Sequence, residues 1–314
     1  MKKSLLALAV LGMFAGAASA QSSVTIFGKL DQGVGKPVGT KDKQVLDAAG
    51  SRIGFRGQED LGNGLSAVFS FEHRFDPDTG AQNTATTFWQ GHSWVGLRGG
   101  FGQLTLGRHY TASYTEIQNV IDPFGGDTVA GLRNSSMTAG GVAKTRVSDS
   151  VRYEFAAEGA RIVATVAEAN QAAAANVGPD RPWSLAANYT AGPLFIGAGY
   201  EDPAGANDRI LNVGARYTFG PATLRAGLSD ARNNADQKIR GYIIGANVKA
   251  GPGEVLVGYA TSKNRTLDTD LSKKFGLGYR HPLSKRTFLY TDIARDSVFT
   301  TSKTGYDLGI QHNF

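Results

Sequence analysis

A chain of 314 residues without a single cysteine forms no disulfides, so packing and hydrogen bonds alone must hold its fold. Its formal charge of +6 is spread along the length without a basic block, which argues against the concentrated footprint of a nucleic-acid binder. Forty-one glycines, 16 Phe and 11 Tyr suit a β-rich chain, and after the first 20 residues no run of 18 apolar residues exists to cross a membrane as a helix.

Residues 1–20, MKKSLLALAVLGMFAGAASA, open with two lysines, continue through an apolar run from Leu5 to about Ala15, and end on Ala18-Ser19-Ala20. That is the charged start, apolar centre and small-residue cleavage site of an export signal. The run is shorter than the ~20 apolar residues of a membrane anchor. The expected mature chain is one domain, residues 21–314, with 31 basic residues after loss of Lys2 and Lys3 against 27 acidic ones, a charge of +4.

From there on, apolar and polar residues alternate with period two, the signature of half-buried strands. Val24, Ile26, Gly28 and Leu30 share a face opposite Thr25, Lys29 and Asp31; Ile53 and Phe55 oppose Arg52 and Arg56. Phe69, Phe71 and Phe75 oppose Ser70, Glu72 and Arg74, and Val151, Tyr153 and Phe155 oppose Arg152 and Glu154. Later runs place Leu211, Val213, Ala215, Tyr217 and Phe219 opposite Arg216, and Phe275, Leu277 and Tyr279 opposite Lys274 and Arg280.

Short turn-rich connections (EDLGNG, RGGFG, AAEGA, TAGP, FGPA, KAGPGE, HPLSKR) alternate with longer polar ones at 36–44, 76–88, 110–146, 168–181, 202–208, 230–238, 263–270 and 295–303. Seven short and eight long connections predict sixteen strands. Segregation of loops by length is the mark of an up-and-down transmembrane antiparallel β-barrel, with short turns at one end and long loops at the other. Ten residues at ~3.3 Å each, tilted ~45°, span roughly 24 Å, close to the apolar band of such a barrel. A sixteen-stranded tube is too wide for side chains to fill, so its charged face borders water. Lys29, Asp31, Arg52, Arg56, Glu72, Arg74, Arg152, Glu154, Arg216 and Arg225 are therefore expected to line the pore.

One stretch breaks the rhythm. Residues 110–146, with IDPFGGD at 121–127, match no regular element, and a structureless insert of this length calls for a functional reason. Phe124 is suited to anchor it on an inner wall, Pro123 and Gly125-Gly126 to turn it tightly, and Asp122 and Asp127 to carry charge. At the far end, YDLGIQHNF places Tyr306, Leu308, Ile310, His312 and Phe314 on one face.

Together SSVTIFGKLDQGV, SRIGFRGQEDLGNGLSAVFSFE, SWVGLRGGFGQLTLGR, DPFGGD, SVRYEF, HPLSKRT and the terminal HNF resemble the Gram-negative general porins, most closely the trimeric type of beta-proteobacteria. The resemblance runs from Ser22 to Phe314. It implies a sixteen-stranded homotrimeric barrel of the outer membrane whose third outer loop folds into the lumen, passing ions and small hydrophilic solutes. It also implies contact with outer-membrane lipid including lipopolysaccharide, and delivery to the barrel-assembly machinery through the terminal Phe314. Arg52 and Arg152 match wall arginines of the family's constriction, and Arg146 is a third candidate, facing loop acids Glu116, Asp122 and Asp127; which of these acids points into the pore stays open. Gly91-His92 stands where relatives carry Arg-Gln, and Pro123 where some carry an acid. A mild anion preference is expected, less strongly for the missing arginine. Arg108 shares the parity of Leu104 and Leu106, which places it in the trimer interface against a neighbour's Asp76 or Asp78, unless a bulge turns it inward.

Other functions fit less well. GHSWVG misses the nucleophile-elbow spacing and sits in a strand, and the five histidines (73, 92, 109, 281 and 312) show no metal-ligand spacing, so neither enzyme, cofactor nor metal is expected. A substrate-selective channel, the main alternative, would need a recognition device such as a file of aromatic side chains, and parity offers only scattered Phe27, Phe195 and Phe288. An adhesin without conductance is the remaining rival.

Overall fold

The computed structural model describes residues 23–168 and 178–314. The expected leader, the start at Gln21 and most of the connection after residue 168 lie outside the described residues. Sixteen long antiparallel strands close on themselves. They are β1 (Ser23–Lys36), β2 (Arg52–Gly62), β3 (Leu65–Asp76), β4 (Ser93–Gly99), β5 (Gly102–Tyr110), β6 (Arg146–Ala157), β7 (Ala160–Ala167) and β8 (Trp183–Ala191). The second half comprises β9 (Leu194–Asp202), β10 (Arg209–Phe219), β11 (Ala222–Arg232), β12 (Lys238–Ala250), β13 (Gly253–Asn264), β14 (Thr269–Pro282), β15 (Thr287–Asp296) and β16 (Thr304–Asn313). Two short strands, Gln44–Leu46 and Ala81–Gln82, extend the long-loop rim.

Each strand pairs with its neighbours in sequence, and closure falls on β1. Its first half pairs with β2, from Ser23 opposite Gln58 to Lys29 opposite Arg52, while Lys29 to Lys36 pair with Asn313 to Tyr306 of β16. Closure leaves no edge with unpaired backbone groups, the condition for a sheet in hydrocarbon. The terminal residue joins the seam: Phe314 donates its N–H to Gly28 O at 3.1 Å and accepts from Gly28 N at 2.9 Å.

The two faces separate as the alternation predicts. Leu104, Leu106, Val151, Tyr153, Leu211, Val213, Ile244 and Leu308 are exposed on the outer face, while Thr105, Arg152, Asn212, Asn247 and Asp307 between them are buried on the other. In water such an apolar exterior would aggregate; against lipid it is the favourable arrangement. The enclosed apolar core is small and lies where residues 111–145 meet the wall. Ile117, Ile121, Phe124, Leu132 and Met137 of that segment pack with Val163, Ala186, Phe195, Ile243, Leu256 and Ala260.

Glycines of the wall make this contact possible. Gly197, Gly214 and Gly227 lie opposite one another on β9, β10 and β11, and Gly245, Gly258 and Gly276 do so on β12, β13 and β14. A Cβ at Gly214 would lie 2.3 Å from Ile121, at Gly245 2.3 Å from Pro123, and at Gly258 2.6 Å from Leu132. Two rows of absent side chains thus form a track on the wall for the segment.

Candidate functional site

The segment holds its shape through one carboxylate. After the helical turns Tyr114–Gln118 and Asn119–Ile121, Asp122 accepts the N–H of Phe124 through Oδ1 at 2.9 Å. Its Oδ2 accepts those of Gly126, Leu132 and Arg133 at 2.9, 2.7 and 2.8 Å. Burial pushes this carboxyl upward from its ordinary pKa, and the N–H groups of Phe124, Arg133 and Leu132 oppose that push. Asp122 is therefore enclosed within its own loop and does not reach the pore space for which its charge recommended it. Phe124 is buried against Gly276 and Gly278, and Gly125 and Gly126 adopt φ of 70° and 80°, closing the turn.

Beside the turn lies a space of about 430 Å³ bordered by Arg52, Arg74, Arg133, Arg146, Tyr114, Asn119 and Asp127. Four guanidiniums thus face one carboxylate. Register concentrates the positive charge, since Lys29, Arg52 and Arg74 are direct neighbours across β1, β2 and β3. Like charges placed opposite one another across strands are unfavourable on their own. Compensation is partial: Lys29 reaches Asp127 Oδ2 at 3.2 Å, and Arg74 donates to Glu72 at 3.1 Å and to the Tyr110 hydroxyl at 2.8 Å. Arg52 makes no side-chain hydrogen bond or ion pair among the described residues. Arg146 stacks 4.6 Å over the Tyr110 ring and donates to its hydroxyl, and Arg133 lies 4.7 Å over Tyr114.

Arg152 and Glu116, expected at the same place, belong to a neighbouring network. Arg152 is buried; it donates to Glu154 at 2.6 Å, to Tyr110 O at 2.7 Å and to Thr115 Oγ1 at 3.2 Å, tying the segment to the wall. Glu116 accepts from Arg161 Nε at 3.1 Å and from Asn188 at 3.0 Å. Asp31 is wholly buried and accepts from Tyr290 and the Ala48 N–H, so it braces the first loop instead of bordering water. Arg56 stands 5.3 Å over Phe27, Arg216 over Phe195 and Arg280 over Phe288. Arg225 donates to Asn247 and to the Val120 carbonyl of the segment. Sequence reasoning missed Arg133, Tyr114 and Asn119 because they sit in the aperiodic segment, where parity says nothing about direction.

Residues 7–299 match the family of Gram-negative porins. The chain is 33% identical to outer membrane porin protein 32 of Delftia acidovorans, over 99% of this chain and 93% of that one. This chain is a Gram-negative porin. Among solved structures, the porin is similar to an anion-selective porin from Comamonas acidovorans, with a TM-score of 0.79, 26% identity, and 94% and 100% of the two chains covered. A trimer form of OmpT from Vibrio cholerae shares its fold at a TM-score of 0.71 and 15% identity, covering 93% and 99%. The porin is accordingly a multi-pass β-barrel of the outer membrane and a channel, not an enzyme.

Two sequence peculiarities of the porin gain a setting. Gly91 packs on Glu72, where a Cβ would fall 2.6 Å from that side chain's own Cβ, so the position favours contact with the acid over a pore-facing arginine. Arg108 lies within the register shift between Gly107, whose φ is 138°, and His109; it donates to Gln90 O at 3.1 Å and to Ser148 Oγ at 2.7 Å within its own chain.

Proposed function

We propose that this porin is a general diffusion channel with a mild preference for anions, its eyelet set by residues 111–145 folded into the lumen as the third outer loop. The observation that carries the preference is the 430 Å³ space on which Arg52, Arg74, Arg133 and Arg146 converge with Asp127 as the one bordering acid. Guanidinium stays charged across the physiological range, and a wall of one sign concentrates counter-ions. Small hydrophilic solutes keep their water among these polar groups, whereas large apolar solutes lose hydrogen bonds without replacement. The pairing of Arg152 and Lys29 with acids keeps the preference mild.

On the same reading the leader at 1–20 is removed on export, Phe314 serves as the assembly signal, and the barrel works as a homotrimer in contact with lipopolysaccharide, its Arg108 at the protomer boundary. Reversal potentials across planar bilayers under a potassium chloride gradient test the selectivity. A chloride preference that shrinks as salt rises from 0.1 to 1 M, where the Debye length falls from about 10 to about 3 Å, is expected. Clear cation preference overturns it. Current steps grouped in threes are the expected sign of the trimer.

A further inference from the structure

The lumen wall carries a file of rings that alternation along single strands does not reveal. Phe27 and His92 lie 6.3 Å apart with planes 10° from parallel, His92 continues to Trp94 at 6.1 Å and 27°, and it meets Tyr110 edge to face at 5.8 Å and 64°. Tyr110 stacks on Tyr114 at 5.1 Å, again 10° from parallel. The members come from β1, β4, β5, the connection before β4 and the loop, so only the closed barrel assembles them.

The file joins two spaces. At its upper end Tyr114 borders the 430 Å³ eyelet with Arg52. At its lower end Phe27, His92 and Trp94 border a second space of about 620 Å³ together with Arg56, Arg98, Arg161 and one acid, Glu154. Such a volume is in the range that holds a small organic ligand. Arg161 is paired with Glu116 and Glu154, and Arg98 with glutamines, whereas among the described residues Arg56 has only its contact with the Phe27 ring. His92 is fixed in direction by Ser70 Oγ at 2.7 Å, and burial lowers its pKa so that it offers an uncharged ring face.

We propose that this file is a stacking path for planar aromatic carboxylates, whose rings lie on Phe27, His92 and Trp94 while Arg52 and Arg56 take the carboxylate. Rings stack on rings in preference to saturated rings of the same size, and an arginine without an acid partner is available for an anion. Aromatic cations would find the same rings but meet the surplus of guanidinium charge. The inference rests on the anion-preferring channel above and adds a solute class to it.

The test uses the full porin in planar bilayers, with the concentration of added carboxylate that halves the chloride current as readout. Benzoate is compared with cyclohexanecarboxylate, equal in charge and near in size but without an aromatic face. The expected half-blocking concentration is about fivefold lower for benzoate. The difference should vanish in the Phe27→Leu/Trp94→Leu variant, each variant serving as its own control because both acids are measured on it. Arg56→Gln should weaken both acids alike. Equal half-blocking concentrations in the unmodified porin, or a benzoate advantage that survives in the double variant, overturn the stacking path. A chloride preference retained in those cases leaves the general channel standing, while its loss removes both.

Discussion

Asp127 is the one acid among the side chains that border the 430 Å³ space, and it holds Lys29 at 3.2 Å with both side chains partly exposed. A pair in that setting contributes roughly 0–1 kcal/mol, so Asp127→Asn should leave the fold intact and act on selectivity. Anion preference is expected to rise, read as a shift in reversal potential; Arg52→Gln should shift it the opposite way. His92 supplies a pH handle. Burial outweighs the pull of Glu72, and Arg146, Arg74 and Arg52 add to it, so the imidazole sits below its ordinary value of 6.5. A lowered histidine pKa means the neutral form persists on acidification to a pH below that value. The His92 contribution to selectivity should therefore be flat from pH 8 to about 6.5 and appear as added anion preference only below it. His92→Gln should remove that acid limb, and an unchanged limb in the variant would refute the assignment.

At the scale of elements, the segment 111–145 and the glycine track depend on each other. The segment lacks the length and period to be a stable helix, and its apolar side chains find cover only where wall residues have none. Phe124 is the largest of them and is almost fully buried. Replacing a buried Phe with Ala costs on the order of 3–5 kcal/mol, here charged against the docked segment because the strands keep their ladder. Phe124→Ala should give a larger and noisier single-channel conductance with an unchanged strand signal in circular dichroism. Gly245→Val acts from the other side, since a Cβ there already meets Pro123 at 2.3 Å; it should loosen the same contact. Unaltered conductance in both variants would show that the segment does not set the pore width.

At the scale of the whole molecule, the barrel presents an apolar exterior interrupted near the long-loop rim by Arg108. Its donors are engaged by Gln90 and Ser148, yet a guanidinium has five N–H groups and can reach a neighbour as well. If Arg108 also pairs with Asp76 or Asp78 of an adjacent protomer, Arg108→Ala should lower the temperature at which the trimer dissociates in detergent by several degrees. Migration of heated samples in a semi-native gel measures this, and an identical dissociation temperature would remove Arg108 from the interface.

What the sequence by itself determined is the tube: sixteen strands, eight long and seven short connections, and the identity of the two faces. Period-two alternation is a local property, and the backbone pleat converts it directly into inside and outside, so Lys29, Arg52, Arg56, Glu72 and Arg74 could be assigned to the inner face without knowing their neighbours. Tertiary structure alone decided which of those charges remain free. Arg152 and Arg52 look equivalent along their strands, yet one is engaged by Glu154, the Tyr110 carbonyl and Thr115 of the loop, while the other has no side-chain hydrogen bond or ion pair among the described residues. Asp122 and Asp127 are likewise indistinguishable in IDPFGGD, and only the path of the turn buries the first and leaves the second beside Lys29. The ring file has the same origin: its members are distant in sequence, and closure of the barrel with the loop seated on it is what brings them into contact.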